Sequence, residues 1–286
     1  MQGACSAFSL LLHGMKRLFK IEGKEDAGAE QSILLVEIGE GHCSFATIDM
    51  NTKALQQLGY YGEGSATDVF SQMLNENPVL KGPFSQILVG YDLPGNMILP
   101  ADHIPGEELD QVVSSFQGLP GEMIVSDVLE KITVKNIYPV PVTLHQLVTR
   151  VFPHAKSWQA HTAIIECGPG FDAAGTMMVN IKSESFNVTV GKEKNLLLAQ
   201  SYQYTTAADV LYYLLEICEQ FGLAQNQVQV QLFGLIDPQS NVYAELKNYF
   251  LHLSLLKPPA TLAIEPSEDY HAHFFTALFN LLPCAS

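Results

Sequence analysis

The sequence predicts an α/β protein with mixed sheets, built from one strand–helix unit used twice. Three observations carry this. Between Thr176 and Gly234, three short strand patterns precede a long amphipathic helix pattern and a fourth strand. The same order runs from Ile33 to Gly90. The two copies keep a roughly constant offset of about 140 residues, as a duplicated unit does.

The second copy is the cleaner. Met177–Ile181 is an apolar run, and Phe186, Val188 and Val190 alternate with Asn187 and Thr189, the period of a half-buried strand. Gly191–Lys194 is a turn and Leu196–Tyr204 a third strand. Thr206 and Asp209 have the spacing of a capping box, in which each side chain satisfies a free backbone N–H of the first helical turn. Val210, Leu211, Leu214, Leu215, Cys218 and Phe221 then share one helical face, and Gly222 is a natural stop. Val228–Phe233 is the fourth strand. In the first copy the strands are Ile33–Ile38, Cys43–Ile48 and Ala54–Tyr61, with a turn at Asn51–Lys53. Ser65 and Asp68 make the matching box, and Leu88-Val89-Gly90 parallels Leu232-Phe233-Gly234.

An insert separates the copies. Asn96–Pro100 reads as extended, Pro105–Phe116 as a helix, and Glu122–Val125 and Leu129–Val134 as two strands. Asn136–Pro141 is extended, because each proline disfavours helix in the residue before it. Val142–Phe152 reads as a helix, and Ser157–Ile165 as strand or helix. Cys167–Gly175 is a loop. Beyond Gly234, Asp237-Pro238 starts a helix, Leu253–Leu256 is a strand and His273–Leu282 a last helix. Residues 1–31 read as a tail and linker; the alternative, a basic amphipathic helix using Phe8, Leu11, Met15, Leu18 and Phe19, is interrupted by Gly14 and Gly23.

With 286 residues and 47% hydrophobic residues, the chain can bury substantial cores. Its net charge of −15 repels phosphate backbones and anionic lipid, which argues against nucleic-acid binding. Charged residues are only 16%, which leaves either a surface covered by a partner or one rich in neutral polar side chains. The five cysteines are dispersed without a Cys-x-x-Cys pair, the usage of a reducing compartment. No apolar run spans a bilayer, so a cytoplasmic location is expected.

Three strands joined by tight turns, then a helix and a parallel strand, is the order of a ribonuclease-H-like unit. Two such units in one chain are the architecture of the actin-like ATPase superfamily. The expected division is 32–170 for the first unit with its insert and 171–286 for the second.

The chain resembles the bacterial domain-of-unknown-function family 3822. The carrying residues are Cys43–Asp49, Leu99-Pro100, Val134–Pro141, and above all Ala207–Leu215 with Glu219–Leu223. The resemblance covers about residues 33 to 284. It implies a duplicated actin-like fold and no particular activity.

An actin-like ATPase holds phosphates on backbone N–H groups of two hairpin turns, Mg²⁺ through acidic residues at strand ends, and adenosine on a glycine loop. The first turn here is Glu37-Ile38-Gly39-Glu40-Gly41-His42, whose Glu40 repels phosphate. The second, from Asn180 and Lys182 to Ser185, has no glycine, and Asn180 stands where an aspartate is expected. Gly234 is the only glycine at the adenosine position. The expectation is a non-enzymatic scaffold or adaptor that binds another protein, with no cofactor and no catalytic residues. The alternative is an ATPase or phosphotransferase holding ATP and Mg²⁺ through Glu37, Gly39, Gly41, Asn180, Lys182 and Gly234. His271-x-His273 lacks a partner at metal-ligand spacing, and Asp92-Leu93-Pro94-Gly95-Asn96 reads as a turn and nothing more.

Overall fold

The computed structural model describes residues 17–22, 29–100, 121–264 and 270–285. The first sheet contains β1 (Arg17–Glu22), β2 (Ser32–Gly39), β3 (His42–Asp49), β4 (Leu55–Gly62), β5 (Gln86–Asp92) and β9 (Lys156–Gln159), in the order β1-β4-β3-β2-β5-β9. The hairpins β2–β3 and β3–β4 are antiparallel, and α1 (Ala66–Glu76) carries the chain over to β5, which is parallel to β2. The second sheet contains β10 (Thr176–Ile181), β11 (Ser185–Lys192), β12 (Asn195–Gln203), β13 (Gln229–Gly234) and β14 (His252–Leu255), in the order β12-β11-β10-β13-β14. Here α4 (Ala207–Phe221) makes the crossover between β12 and β13. In each sheet the third, second, first, fourth and fifth strands of the unit lie side by side. The actin-like duplication is therefore present, and α1 and α4 hold equivalent places.

The sequence forms these elements for identifiable reasons. On α4 the Thr206 hydroxyl accepts from Asp209 N and the Asp209 carboxylate accepts from Thr206 N, closing the capping box, and Gly222 ends the helix at φ +61°. On α1 Ser65 accepts from Asp68 N, but its hydroxyl donates to the Asp68 carboxylate at 2.7 Å, so the reciprocal bond of a full box is spent on the cap itself. Val69, Phe70 and Met73 from α1 and Val210, Leu214 and Ile217 from α4 are buried against the helix-side face of their own sheets.

Hairpin register fixes how the copies superpose. Gly39 pairs with His42, and Lys182 N donates to Ser185 O, each across two intervening residues. Glu37 is thereby equivalent to Asn180, and Ser44 to Asn187. Glu37 also pairs with Gly90, and Asn180 with Phe233. Gly90 therefore matches Phe233 and Gly234 matches Tyr91, one residue away from the equivalence of Leu88-Val89-Gly90 with Leu232-Phe233-Gly234 expected from sequence.

The insert is a three-stranded antiparallel sheet, β6 (Met97–Pro100), β8 (Val134–Pro141) and β7 (Glu122–Leu129), in the order β6-β8-β7. Residues 130–133 are a turn with Thr133 at φ +54°, so the strand expected at Leu129–Val134 is not formed. After β8 come α2 (Val142–Val151), β9, and α3 (Ala160–Cys167), so the ambiguous stretch holds a strand and then a helix. Asp127 ties the insert to this corner, accepting from Tyr138 Oη and from Gln159 N. The helix expected at Pro105–Phe116 lies outside the described residues.

Three further differences concern the ends. Residues 17–22, expected within a tail, form a strand on the edge of β4. The helix expected from Asp237-Pro238 begins later, as α5 (Asn241–Lys247), with Ser240 as its cap. The last segment is broken, a 3-10 turn over Ala272–Phe275 and then α6 (Thr276–Phe279). Leu278, Phe279, Leu281 and Leu282 pack with Ile33, Leu35, Ala46 and Leu88, so the chain returns from the second unit to cover the opposite face of the first sheet.

Candidate functional site between the two units

Both two-residue hairpin tips come together at one carboxylate, that of Asp92. Asp92 ends β5, where it pairs with Gly39. Its Oδ1 accepts from Lys182 Nζ at 2.6 Å and from Asn187 Nδ2 at 2.6 Å, both from the second unit. Its Oδ2 lies 3.5 Å from His42 Nε2, at the first tip. The Asp92 side chain is 1% exposed and that of Lys182 14%. Lys182 also reaches Asn187 Oδ1, which accepts from Ser201 Oγ, and Tyr204 Oη donates to the Lys182 carbonyl. An ion pair made through Oδ1 thus spans the units, while the buried Oδ2 has no hydrogen-bond partner among the described residues and faces His42.

Glu37 lies beside it, buried, accepting from Ser44 Oγ at 3.2 Å. Burial, then the charge of Asp92, push its carboxyl from the ordinary 4.5 up to about 8, against the opposing pull of Lys182 and Ser44. Asp92 behaves oppositely. Burial alone would raise it, but the Lys182 ammonium, His42 and the bonds from Lys182 and Asn187 hold it at about 2. At neutral pH Asp92 is therefore the ionised carboxylate of the cluster and Glu37 a protonated carboxyl. Burial also lowers His42, so its ring is neutral there, and it stacks on Tyr60 at 5.9 Å.

The sequence-predicted residues divide. Glu37 and Lys182 join the cluster, and Asn180 lies next to it. A Cβ at Gly39 would fall inside the His42 imidazole, so the ring covers the backbone that would have to approach a phosphate. Gly41 occupies the left-handed turn position, φ +73°. Gly234 is also left-handed, φ +81°, and a Cβ there would strike Asn180 Oδ1 and the Ile181 carbonyl oxygen. Its glycine is thus required by close packing at the strand end. The residues sequence reasoning missed are Asp92, His42, Asn187 and His161. Asp92 is no mere turn residue. Its only sequence signal was an acid at the end of a strand equivalent to β13.

Glu37, His42 and Asp92 offer three ligand atoms within 4.8 Å of one another, a donor set suited to a divalent cation. Lys182 already pairs with the Asp92 carboxylate through Oδ1, and Oδ2 faces His42. His271 and His273 stack, but His273 Nε2 is 2.7 Å from the Ile236 carbonyl oxygen and so is engaged by backbone.

On the second-unit side, His161 Nδ1 is 2.8 Å from Thr189 Oγ1. Burial holds this histidine at about 4, hence neutral. Next to it lies a cavity of about 20 Å³ lined by His161, Asn180, Asn187, Thr189 and Asn280, among others. That is room for one water molecule, far below the roughly 300 Å³ at which pockets for small ligands begin.

The comparisons agree with this architecture. The family described as protein of unknown function (DUF3822) matches residues 24–253. The chain belongs to that family. A Bacteroides thetaiotaomicron VPI-5482 protein with actin-like ATPase fold and unknown function superposes with a TM-score of 0.69 at 18% identity, over 80% of this chain and 91% of that one. The PilM–PilN type IV pilus biogenesis complex supplies another match, TM-score 0.61 at 12% identity, over 90% of this chain and 99% of that one. At such identities the likeness shows the fold alone. No curated relative matches the sequence significantly. Among the described residues no helix is long and apolar enough to cross a membrane.

Proposed function

We propose that this DUF3822 protein is a non-enzymatic scaffold that binds another protein, and that its inter-unit cleft holds the two units together instead of holding a nucleotide. The observation that carries the reading is the buried Lys182–Asp92 pair at 2.6 Å between the hairpin tips. A phosphate chain lying between the tips would have to displace that pair and then face Glu37 and Asp92. Breaking such a pair strands a buried charge, which costs about 3–5 kcal/mol before any ligand contact is made. His42 over Gly39 and the glycine-free second turn remove the backbone N–H cradle as well. A protein partner is supported by the low charge density, 16%, and by the presence of the PilM fold in a complex with PilN.

The second reading is an ATP-binding actin-like ATPase or phosphotransferase. It is favoured by one feature, the two cleft carboxyl groups of Glu37 and Asp92 in a buried setting. Calorimetric titration with Mg-ATP separates the two. The scaffold reading expects millimolar affinity or weaker and no hydrolysis. A micromolar dissociation constant that is lost in Lys182→Ala would replace it with the second reading.

A further inference from the structure

A groove lies between α1 and α2, where the insert's helix packs on the helix of the first unit. The Phe70 and Phe152 rings meet edge to face beneath it, 5.9 Å apart. Its volume is about 560 Å³. Leu74, Leu147 and Val151 line its apolar part, all three packed on the first core. Lys81 and Arg150 stand on it, both exposed, with Ser71 and Asn75 completing the lining.

Three features distinguish this place from the rest of the surface. Among the described residues neither Lys81 nor Arg150 has an ion-pair or side-chain hydrogen-bond partner. The lining includes two cations and no carboxylate, in a chain with 30 acidic and 15 basic residues. Nearby Glu76 is held by Gln72 Nε2 at 2.9 Å. Val79, 52% exposed, extends the apolar surface on the same 3-10 turn as Lys81.

We propose that this groove is the docking site for a peptide segment of a partner protein, one that presents apolar side chains flanked by acidic ones. The inference rests on the scaffold reading and names the partner chemistry for it. The charge pattern selects the sign. An acidic segment is repelled by the net charge of this protein and attracted by Lys81 and Arg150, so electrostatics favours this location. The apolar floor selects a peptide over a small anion, since a lone phosphate or carboxylate leaves Leu74, Leu147 and Val151 uncovered. A cleft between two helices suits a segment whose apolar side chains point inward.

The test is random-peptide display against the intact chain, followed by binding of a labelled synthetic copy of the selected peptide. Enrichment of Asp and Glu beside Leu, Ile or Phe is expected. The affinity should fall about tenfold or more in the double variant Lys81→Glu, Arg150→Glu, and in Asn75→Trp, which fills the groove without changing charge. All three sites are exposed or lack partners, so an unchanged melting temperature checks that the variants are folded. Selection of basic peptides, selection of none, or binding indifferent to both variants overturns the proposal. The last result leaves the scaffold reading standing, whereas micromolar Mg-ATP binding removes that reading whatever the peptides do.

Discussion

The two units share a topology and differ at the same strand position. In the first, Glu37 faces Ser44; in the second, Asn180 and Asn187 occupy the equivalent places. The first unit also supplies Asp92, and the second supplies Lys182 from its hairpin tip. The copies are thus complementary in charge at the cleft, one contributing the carboxylate and the other the ammonium.

The comparison is most strongly tested in the cores. Met73 and Leu214 are both fully buried, on α1 and α4. Met73→Ala and Leu214→Ala should each cost about 2–5 kcal/mol. Because they lie in separate clusters, the double variant should lose close to the sum, within about 0.5 kcal/mol. Urea unfolding of the single and double variants measures this; strong non-additivity would mean that the units share one core.

The cleft pair comes next. Lys182→Met leaves Asp92 buried without its counter-ion, and a loss of about 3–5 kcal/mol is expected. Adding Asp92→Leu should restore much of it, because the stranded charge is then gone. If Lys182→Met is neutral in denaturant titration, the pair does not hold the units together.

A smaller effect separates Glu37 from Asp92 by pH. Glu37 has a folded pKa raised from 4.5 to about 8, so the folded state binds its proton more tightly. Its contribution is fully present below the unfolded value and is lost as pH rises through about 8. Glu37→Gln should flatten the decline of melting temperature across that window. Asp92, depressed to about 2, contributes above its ordinary 3.8 and loses that contribution as pH falls toward 2. A Gln variant with the parent's slope between pH 4.5 and about 8 would contradict the burial of a protonated Glu37.

The smallest contrast lies at the helix caps. Thr206→Ala removes the hydroxyl half of a closed box and should cost about 1 kcal/mol. Ser65→Ala removes a cap whose hydroxyl also donates to the Asp68 carboxylate and should cost somewhat less, about 0.5 kcal/mol. Thermal melts of the two variants rank them, and equal losses would erase the distinction between the caps.

The sequence by itself determined the unit and its repetition. Alternation along Phe186, Val188 and Val190, the 3.6-residue stripe of α4, and the Thr206 and Ser65 caps are local signals, set by neighbours within a few residues. They placed the strands and crossover helices of both copies, and the resemblance to family 3822 rested on the same stretches. Local signals failed where the deciding contact was distant. Leu129–Val134 has strand composition, yet the β7–β8 hairpin needs a turn there. Arg17–Glu22 looked like tail because its partner, β4, is some forty residues on, a separation read from the pairing of Arg17 with Tyr61.

The site was decided only by the tertiary structure. Asp92 sits in a sequence that reads as a turn, and Lys182 in a turn without glycine. They are 90 residues apart, and no periodicity links them. What joins them is the packing of the two units, which buries the Asp92 carboxylate and leaves Lys182 as its counter-ion.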